Sequence, residues 1–386
     1  MVIGLNGQGL LAQNPAGPER YTYELYKALA QIDKENRYTI LFEKQPPKQY
    51  IADLCQHNPN FSYKVLPKFI SWTQVSLALY LVFNKTDVFF TPIHTLPIAA
   101  LPYINAVSTI HGLEYAYAKN PIFIGQHEWF VAAFSKKVIV PSNAVKEALV
   151  KKKWPFVDDA KMEVIPEGVG KMFYKQSVAE INIVRNKYKL GNEPYLLFVS
   201  TINPRKNLPN TIAGFSMANL ENAQLVVSGA GGQNWKEAYE AAKKYNVADR
   251  VKFIGMASDT DLPALYSGAK VFVSCSLDEG FGLPLLEAMA CETRVVASDI
   301  PAYKELGLDL ITYVNPNSKE SIKDGILKSV DEPANEALRD RPRDSLFDAF
   351  SEPNNSNALK IRAAEFSWEQ TARKTLAAFQ NSVKNG

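Results

Sequence analysis

The sequence predicts an α/β protein made of two Rossmann-like, doubly wound domains that face a central cleft. Its length of 386 residues exceeds the usual size of a domain with a single hydrophobic core. Short apolar runs alternate with segments of helical periodicity, which is typical of βαβ units and parallel sheets. This alternation breaks once, in the turn-rich stretch 166–170, and then begins again, which indicates a second domain after that stretch.

The first series of apolar runs predicts six strands with helices between them. One helix is predicted over Glu19–Ile32, where apolar side chains recur on one face, and another over Asn143–Lys152. A third apolar segment, Trp72–Phe83, is too short and too polar to span a membrane and is expected to be a packed helix. The strands are expected at Val2–Asn6, Tyr38–Phe42, Asp87–Thr91, Asn105–Ile110, Lys137–Pro141 and Met162–Ile165.

The second series predicts six further strands. After it, the polar and irregular stretch 332–357 is expected to be a surface insertion, and the chain is expected to end in a helix from about Trp368 to Val383. In doubly wound domains ligands bind at the carboxyl ends of the strands, so the loops there are the places to look for chemistry. The strands are expected at Tyr195–Ser200, Gln224–Ser228, Val251–Gly255, Val271–Ser274, Arg294–Ala297 and Leu310–Val314.

Composition excludes several classes of protein. The net charge of +3 is too mild, and the basic residues too dispersed, for a nucleic-acid partner. Three cysteines without metal-ligand spacing indicate neither a disulfide framework nor a zinc site, which favours a reducing, cytoplasmic location. The first residues lack the basic region of a signal peptide. The densest basic cluster, Lys151–Trp154, is typical of a solvated helix end; the alternative is peripheral contact with anionic lipid at the inner face of a membrane.

The segment after Val271–Ser274 has the strongest chemical signal. A strand runs into a loop with Gly280 and Gly282, and Pro284 then suits the first helical position, with the helix beginning at or near Leu283. Helix N-termini bind phosphate through their amides and dipole, and glycines allow close approach of a ligand. Two carboxylates flank this turn. Glu279 precedes the helix, and Glu287 lies about one turn inside it.

The string EGFGLPLLEAMAC, from Glu279 to Cys291, resembles the E-x7-E signature of retaining glycosyltransferases of the family 4 type. These have the GT-B fold of two Rossmann-like domains, and the chain is similar to bacterial mannosyltransferase-type group 1 members. The resemblance implies that Glu279 and the backbone of Gly280, Phe281, Gly282 and Leu283 hold the donor sugar. It also implies that Glu287 reaches the ribose.

The resemblance continues in three other places. Arg205 and Lys206 follow the first strand of the second half, where the family holds the donor diphosphate with cations. Gly17 lies in a stretch similar to the family's N-terminal glycine loop, although Pro18 and Glu19 replace the usual Ile and Gly. His111 follows the fourth strand, where the family places a histidine beside the donor sugar. The candidate catalytic residues are therefore His111 and Glu279, and the others are candidates for donor binding.

As implied by the resemblance, residues 1–170 form the acceptor-side domain, residues 171–367 bind the nucleotide sugar, and the helix 368–386 packs back on the first domain. The expected reaction moves a hexose, with retention, from a GDP- or UDP-linked donor to a glycan or lipid-linked glycan. GDP-mannose is favoured and UDP-glucose stays open. The nucleotide sugar is a co-substrate, so no cofactor and no essential metal are expected.

Two other classes of protein stay open. Gly7-Gln8-Gly9 follows a strand and fits a dinucleotide fingerprint, with Glu43 as a ribose acid, which would suit an NAD(P)-dependent oxidoreductase. Pro15 and Pro18 interrupt the helix that should begin there. A non-catalytic nucleotide-sugar-binding protein is the other alternative. Asp259-Thr260-Asp261 looks like a metal-binding D-x-D, but its position before a helix favours N-capping.

Overall fold

The computed structural model describes residues 1–12, 17–56, 58–93, 95–113, 121–230, 235–331 and 355–384. Most of the predicted insertion, 332–357, lies outside the described residues. The chain divides into two compact units. The first comprises Met1–Gly168 together with Phe366–Gly386, and the second is Val169–Glu365.

Each unit contains one parallel sheet, as the sequence predicts. The seven strands of the first sheet lie in the order β3-β2-β1-β4-β5-β6-β7, and the six of the second in the order β10-β9-β8-β11-β12-β13. In both sheets the chain starts in the middle and winds outward in two directions, which is the doubly wound arrangement. The strands are β1 Val2–Asn6, β2 Arg37–Phe42, β3 Phe61–Val65, β4 Val88–Thr91, β5 Ala106–Thr109, β6 Lys137–Val140, β7 Met162–Val164, β8 Tyr195–Val199, β9 Gln224–Ser228, β10 Val251–Gly255, β11 Val271–Ser274, β12 Val295–Ser298 and β13 Thr312–Val314.

Helices connect the strands and cover the sheets. Trp72–Leu77 is a π-helical turn that continues directly into an α-helix, so the expected packed helix forms there. The α-helices are α1 Gly17–Ile32, α2 Lys48–Ile51, α3 Ala78–Phe83, α4 Pro121–Phe134, α5 Asn143–Lys151, α6 Val178–Lys187, α7 Leu208–Ala218, α8 Trp235–Lys244, α9 Leu262–Gly268, α10 Leu283–Ala290, α11 Pro301–Gly307, α12 Lys319–Asp331, α13 Ser356–Ala364 and α14 Trp368–Lys384.

One strand, β3, was not predicted. It pairs with β2 at the edge of the first sheet, and Ser62, Tyr63 and Lys64 in its middle are exposed. Only Phe61 is buried. An edge strand with one buried residue has no continuous apolar run, so the pattern that indicates central strands is missing there.

The carboxyl-terminal helix α14 belongs to the first unit. It packs against α1 and the strands β4, β5 and β6, and Phe379 lies with its ring centroid 5.2 Å from that of Phe90. The Thr371 hydroxyl donates to the carbonyl of Pro166 over 2.8 Å. Gly168 lies so close to Ser367 and Trp368 that a Cβ atom there would overlap their backbone. The two points where the chain leaves and re-enters the first unit are therefore adjacent.

Among the described residues, we find no helix that combines the length and the apolar character needed to cross a bilayer.

Candidate functional site

The loop after β11 leads into α10 through a turn that only glycine fits well. The helix begins at Leu283, as predicted, so Pro284 is its second residue and not its first. Gly282 precedes them with φ +118°, and a Cβ there would lie 2.8 Å from the Tyr303 ring. Both the left-handed backbone and the ring exclude a side chain at this position. The loop backbone is thus held tightly at the N-terminus of α10.

Glu279, in the same loop, forms two buried ion pairs. Its Oε1 lies 2.6 Å from Lys206 Nζ, and its Oε2 lies 2.7 Å from Arg205 Nη1. The side chains are 8% exposed for Glu279, 8% for Arg205 and 14% for Lys206. The family resemblance implies that Glu279 contacts the donor sugar and the two cations its diphosphate; in the structure the three side chains form one cluster with a single positive charge in excess.

Two hydroxyl groups complete the surroundings of Glu279. Ser276 Oγ donates to Oε1 over 2.7 Å, and Tyr303 Oη donates to the same oxygen over 3.1 Å. Burial alone would raise the pKa of this carboxyl, but the charges of Lys206 and Arg205 outweigh it and hold the pKa at about 2. Glu279 is therefore a buried carboxylate that stays ionised throughout the neutral range.

The cationic pair is fixed by the turn that follows β8. Pro204–Lys206 forms a 3-10 turn capped by Asn203, whose Oδ1 accepts from the Lys206 amide. Arg205 Nη1 also donates to the Asp278 carbonyl over 2.8 Å. Asn207, in the left-handed conformation, donates through Nδ2 to the Cys275 and Pro316 carbonyls over 2.9 and 2.7 Å. The loops after β8 and β11 are thereby joined by several hydrogen bonds.

Glu287 lies in different surroundings from Glu279. It is 2% exposed, in the middle of α10, and its Oε2 accepts a hydrogen bond of 2.9 Å from Tyr266 on α9. Contact with a ribose stays a prediction for this residue. Of the remaining loop residues, Phe281 and Leu283 are buried and Gly280 is half-buried.

His111 and Gly17 lie in the first unit. Both ring nitrogens of His111 have partners: Nε2 is 2.9 Å from the Pro92 carbonyl, and Nδ1 is 3.2 Å from Oε1 of Glu167. A carbonyl can only accept, so Nε2 carries a hydrogen. A sugar hydroxyl could hydrogen-bond to the ring only by sharing or displacing one of these contacts.

Tyr21 connects His111 to the helix that begins at Gly17. Its ring lies edge-on to the imidazole, with centroids 4.7 Å apart, and its hydroxyl is 3.2 Å from Thr109 Oγ1. At Gly17 itself, a Cβ would meet no atom of the described residues within 4 Å. Packing therefore does not require glycine there, in contrast to Gly282.

The glycines of the dinucleotide-like fingerprint have a packing role. A Cβ on Gly7 would lie 2.5 Å from the Phe42 ring, and one on Gly9 would lie 2.9 Å from Thr22 Oγ1. Glu43 is 3.1 Å from Lys68 Nζ. The turn after β1 is a short 3-10 helix, Gln8–Leu11, and not the start of the long helix that the fingerprint requires.

Asp261 holds the N-cap position of α9, as its place before the helix predicts, but its side chain makes no capping bond. Instead, Oδ2 accepts from Lys187 Nζ over 2.5 Å and from the Tyr188 hydroxyl over 2.7 Å. These partners, 73 and 74 residues earlier in the chain, outcompete the local amides. Within the described ranges, no three His, Cys, Asp or Glu side chains are placed to hold a metal ion.

Several residues of the site have no signal in the sequence. Tyr303 and Ser276 contact Glu279, Asn207 joins the two loops, and Glu167 contacts His111. All of them are ordinary turn or helix residues when the sequence is read locally.

Comparison with known proteins supports the same family throughout. The family model described as "Glycosyltransferase Family 4" matches residues 15–170, and the model described as "Glycosyl transferases group 1" matches residues 180–344. Together they span most of both units.

Among curated relatives, the O-antigen chain mannosyltransferase B of Escherichia coli is 29% identical over 54% of this chain and 51% of its own length. The O-antigen chain mannosyltransferase RfbU of Salmonella typhimurium is 28% identical over 65% of this chain and 67% of its own length. The matched region thus spans about half of the first relative and two thirds of the second.

Among solved structures, Anabaena HepE in complex with UDP and glucose superimposes with a TM-score of 0.76, at 18% identity over 99% of this chain and 100% of that one. Sucrose-phosphate synthase from Thermosynechococcus elongatus gives a TM-score of 0.73, at 21% identity over 100% of both chains. These likenesses, with the two doubly wound sheets, establish the GT-B fold. The chain belongs to the group 1, family 4 type of glycosyltransferases.

Proposed function

We propose that the protein is a retaining hexosyltransferase that uses a nucleotide sugar and transfers mannose from GDP-mannose to a glycan or lipid-linked glycan. The observation on which this depends is the buried cluster of Arg205, Lys206 and Glu279 beside the N-terminus of α10. The family membership supplies the reaction class, and the cluster supplies groups that suit its chemistry.

The cluster suits a diphosphate leaving group. Transfer of the sugar leaves a nucleoside diphosphate that gains negative charge as the glycosidic bond breaks. Two buried cations stabilise such charge more strongly than exposed ones, because little water screens them. The first amides of α10 have no partner within the helix and add to this field. Arg205 and Lys206 are thus proposed to bind the diphosphate.

Glu279 is proposed to orient the donor sugar. An ionised carboxylate accepts hydrogen bonds from sugar hydroxyls, and its pKa of about 2 keeps it ionised at every physiological pH. The backbone of the 280–283 loop would hold the same sugar. Glu287 is proposed to bind the ribose and His111 a hexose hydroxyl. For Glu287 this requires the contact with Tyr266 to be shared with the nucleotide.

The choice of mannose follows the curated relatives. O-antigen chain mannosyltransferases from two bacteria match a large part of the chain. The solved HepE structures contain UDP with glucose and UDP-glucose, so UDP-glucose is the alternative donor. The names of these relatives refer to the O-antigen chain, which favours a growing polysaccharide as the proposed acceptor. No metal is proposed to take part in the reaction.

The donor can be identified with a panel of nucleotide sugars. We expect GDP-mannose to raise the Tm of the wild-type protein most and to be hydrolysed slowly without an acceptor. UDP-glucose, UDP-galactose and GDP-fucose are the comparison donors. An NMR spectrum of the product decides between retention and inversion at the anomeric carbon, and an assay in EDTA tests the proposed independence from metal.

The outcomes separate the alternatives. If UDP-glucose is preferred, the reaction class stands and the donor is corrected. Binding of NAD together with no response to any nucleotide sugar would refute the proposal and favour the oxidoreductase. Donor binding without hydrolysis or transfer to extracts of surface glycan would favour a non-catalytic binding protein.

We also propose that the enzyme is cytoplasmic and contacts the inner face of the membrane through the end of α5 and the loop after it. Lys151, Lys152 and Lys153 are exposed, and Phe156 nearby is 77% exposed with a left-handed backbone. Lysines beside an exposed aromatic ring suit anionic lipid headgroups. Co-sedimentation with phosphatidylglycerol vesicles, but not with phosphatidylcholine vesicles, is expected; substitution of the three lysines by alanine should abolish it. Equal binding by this variant would contradict the assignment.

A further inference from the structure

We propose that Tyr303 is a positioning residue that holds the carboxylate of Glu279 and the turn at Gly282 in a fixed relation. This inference rests on the proposed function, since it assigns Tyr303 a part in orienting the donor sugar. Tyr303 lies on α11, 24 residues after Glu279, and only 2% of its surface is exposed.

The hydroxyl of Tyr303 is part of a directed chain of hydrogen bonds. It donates to Glu279 Oε1 over 3.1 Å and lies 2.6 Å from Ser274 Oγ. A carboxylate can only accept, so the single tyrosine hydrogen goes to Glu279, and Ser274 is then the donor to Tyr303. The chain therefore runs from the end of β11, through the tyrosine, to the carboxylate. Burial and the neighbouring Glu279 raise the pKa of Tyr303 well above its ordinary value, so the hydroxyl stays protonated.

The ring of Tyr303 acts on the other end of the loop. Its Cε1 atom would lie 2.8 Å from a Cβ at Gly282, so the ring lies directly against the backbone of that residue. One side chain therefore contacts both the carboxylate and the N-cap of α10. A shift of either group by a fraction of an ångström would be transmitted to the other.

The backbone of Tyr303 and of the residues after it on α11 is fixed by hydrogen bonds from other elements. The Tyr313 hydroxyl donates to its carbonyl over 3.2 Å. Arg362, on α13, donates to the carbonyls of Glu305 and Leu306 over 2.7 and 3.0 Å, which fixes the end of α11. A positioning residue must be supported in this way, because a mobile side chain cannot orient another.

The test compares Tyr303→Phe with Tyr195→Phe. Both substitutions remove one buried hydroxyl and keep the ring; the Tyr195 hydroxyl donates to the Leu265 carbonyl over 2.7 Å and has no part in the cluster. We expect similar losses of Tm. Only Tyr303→Phe should lower kcat for hydrolysis of GDP-mannose, by about tenfold, while KM changes less than about threefold. Equal kcat values for wild type and Tyr303→Phe would overturn the inference.

A second comparison shows whether Tyr303 acts through Glu279. If it does, adding Tyr303→Phe to a Glu279→Gln protein should lower kcat no further, because the carboxylate that it orients is absent. A further tenfold loss in that background would show an independent structural effect and refute the inference. Ser276→Ala, which removes the other hydroxyl on Oε1, should combine less than additively with Tyr303→Phe.

The proposed function and this inference fail separately. If the wild-type protein hydrolyses none of the nucleotide sugars, the proposed function is wrong. The coupling between Tyr303→Phe and Glu279→Gln can still be measured by urea unfolding of the single and double variants. Additive losses in unfolding free energy would then refute a working contact between the hydroxyl and the carboxylate, and non-additive losses would support it.

Discussion

Lys206 and Glu279, which are 73 residues apart in the chain, form an ion pair of 2.6 Å that is almost shielded from water. A buried pair has two consequences. Its members are held in one geometry, and each is costly to leave alone. Because Lys206 is already paired with Glu279, a diphosphate that binds Lys206 competes with this carboxylate for the lysine charge.

Substitution of Lys206 by alanine removes one of the two proposed diphosphate contacts. We expect kcat/KM for the donor to fall by about 30- to 1,000-fold, since a charged contact to the leaving group contributes about 2 to 4 kcal/mol. Steady-state donor hydrolysis measures this. Lys243→Ala, an exposed lysine on α8, is the matched control and should be unaffected. A loss below about threefold at Lys206 would exclude its role.

Glu279→Gln should strengthen anion binding while it impairs catalysis. The amide keeps the shape of the side chain but no longer neutralises Arg205 and Lys206, so inorganic pyrophosphate should bind about tenfold more tightly at pH 7. Isothermal titration calorimetry measures the Kd. Glu287→Gln is the control, because it makes the same chemical change at a buried carboxylate in the middle of α10, which accepts a hydrogen bond from Tyr266. Unchanged or weaker pyrophosphate binding by Glu279→Gln would show that Glu279 does not compete with a bound anion for Arg205 and Lys206.

Acid should weaken the fold through Glu279. Its pKa of about 2 in the folded protein lies below the ordinary value of 4.5, so the unfolded chain takes up the proton first. The stabilisation from ionised Glu279 is complete above about pH 4.5 and is lost as the pH falls toward 2. This loss lowers the unfolding free energy by about 3 kcal/mol. Urea unfolding between pH 7 and pH 3 should give a shallower pH slope for Glu279→Gln than for wild type. The exposed Glu240→Gln serves as control, and identical slopes for Glu279→Gln and wild type would contradict the prediction.

Alanine substitutions at Gly255 and Gly282, two glycines with positive φ, compare the cost of backbone strain alone with the cost of strain plus steric overlap. Gly255 has φ +72°, and a Cβ there would meet no described atom within 4 Å, so Gly255→Ala should cost only the backbone strain, about 1 kcal/mol. Gly282→Ala adds an overlap with the Tyr303 ring and should cost about 2 to 4 kcal/mol. Urea unfolding compares the two. Equal losses would mean that the ring moves freely, which would also weaken the positioning role of Tyr303.

Gly17 is expected to matter for activity and not for stability. A methyl group there meets no atom in the part of the chain that the structure describes, so Gly17→Ala should change the unfolding free energy by less than about 0.5 kcal/mol. Donor turnover should nevertheless fall at least about fivefold if a ligand approaches the backbone closely. Gly168→Ala is the opposite case, because its Cβ would overlap the Trp368 backbone and should destabilise the protein strongly. Normal turnover by Gly17→Ala would remove this residue from the site.

The sequence predicts those features that depend on neighbouring residues. Central strands such as Val271–Ser274 are buried on both faces, so their apolar runs are continuous. The exposed edge strand Phe61–Val65 lacks such a run and was missed. The turn at Gly282 and the helix after it were predicted because glycine and proline have strong local preferences.

The sequence predicts individual residues of the candidate site but not the contacts between them. Family resemblance identified Arg205, Lys206 and Glu279, but nothing in the local pattern indicates that they form one ion cluster. Tyr303 and Glu167 contribute through contacts across 24 and 56 residues, which depend on how the elements pack. Asp261 holds the predicted N-cap position, but its carboxylate binds Lys187 and Tyr188, which are distant in the sequence, and not the local amides.

The close approach of Gly168 to the Ser367–Trp368 backbone has a practical consequence for cloning. The first unit consists of two separate segments of the chain. A fragment that stops at residue 168 therefore omits α14, the helix that packs against β4, β5 and β6. Since the two ends of the inserted segment are adjacent, a short glycine-serine linker can replace residues 169–365 and join them. An expression plasmid for the amino-terminal half therefore needs to encode residues 1–168 fused to 366–384 through such a linker.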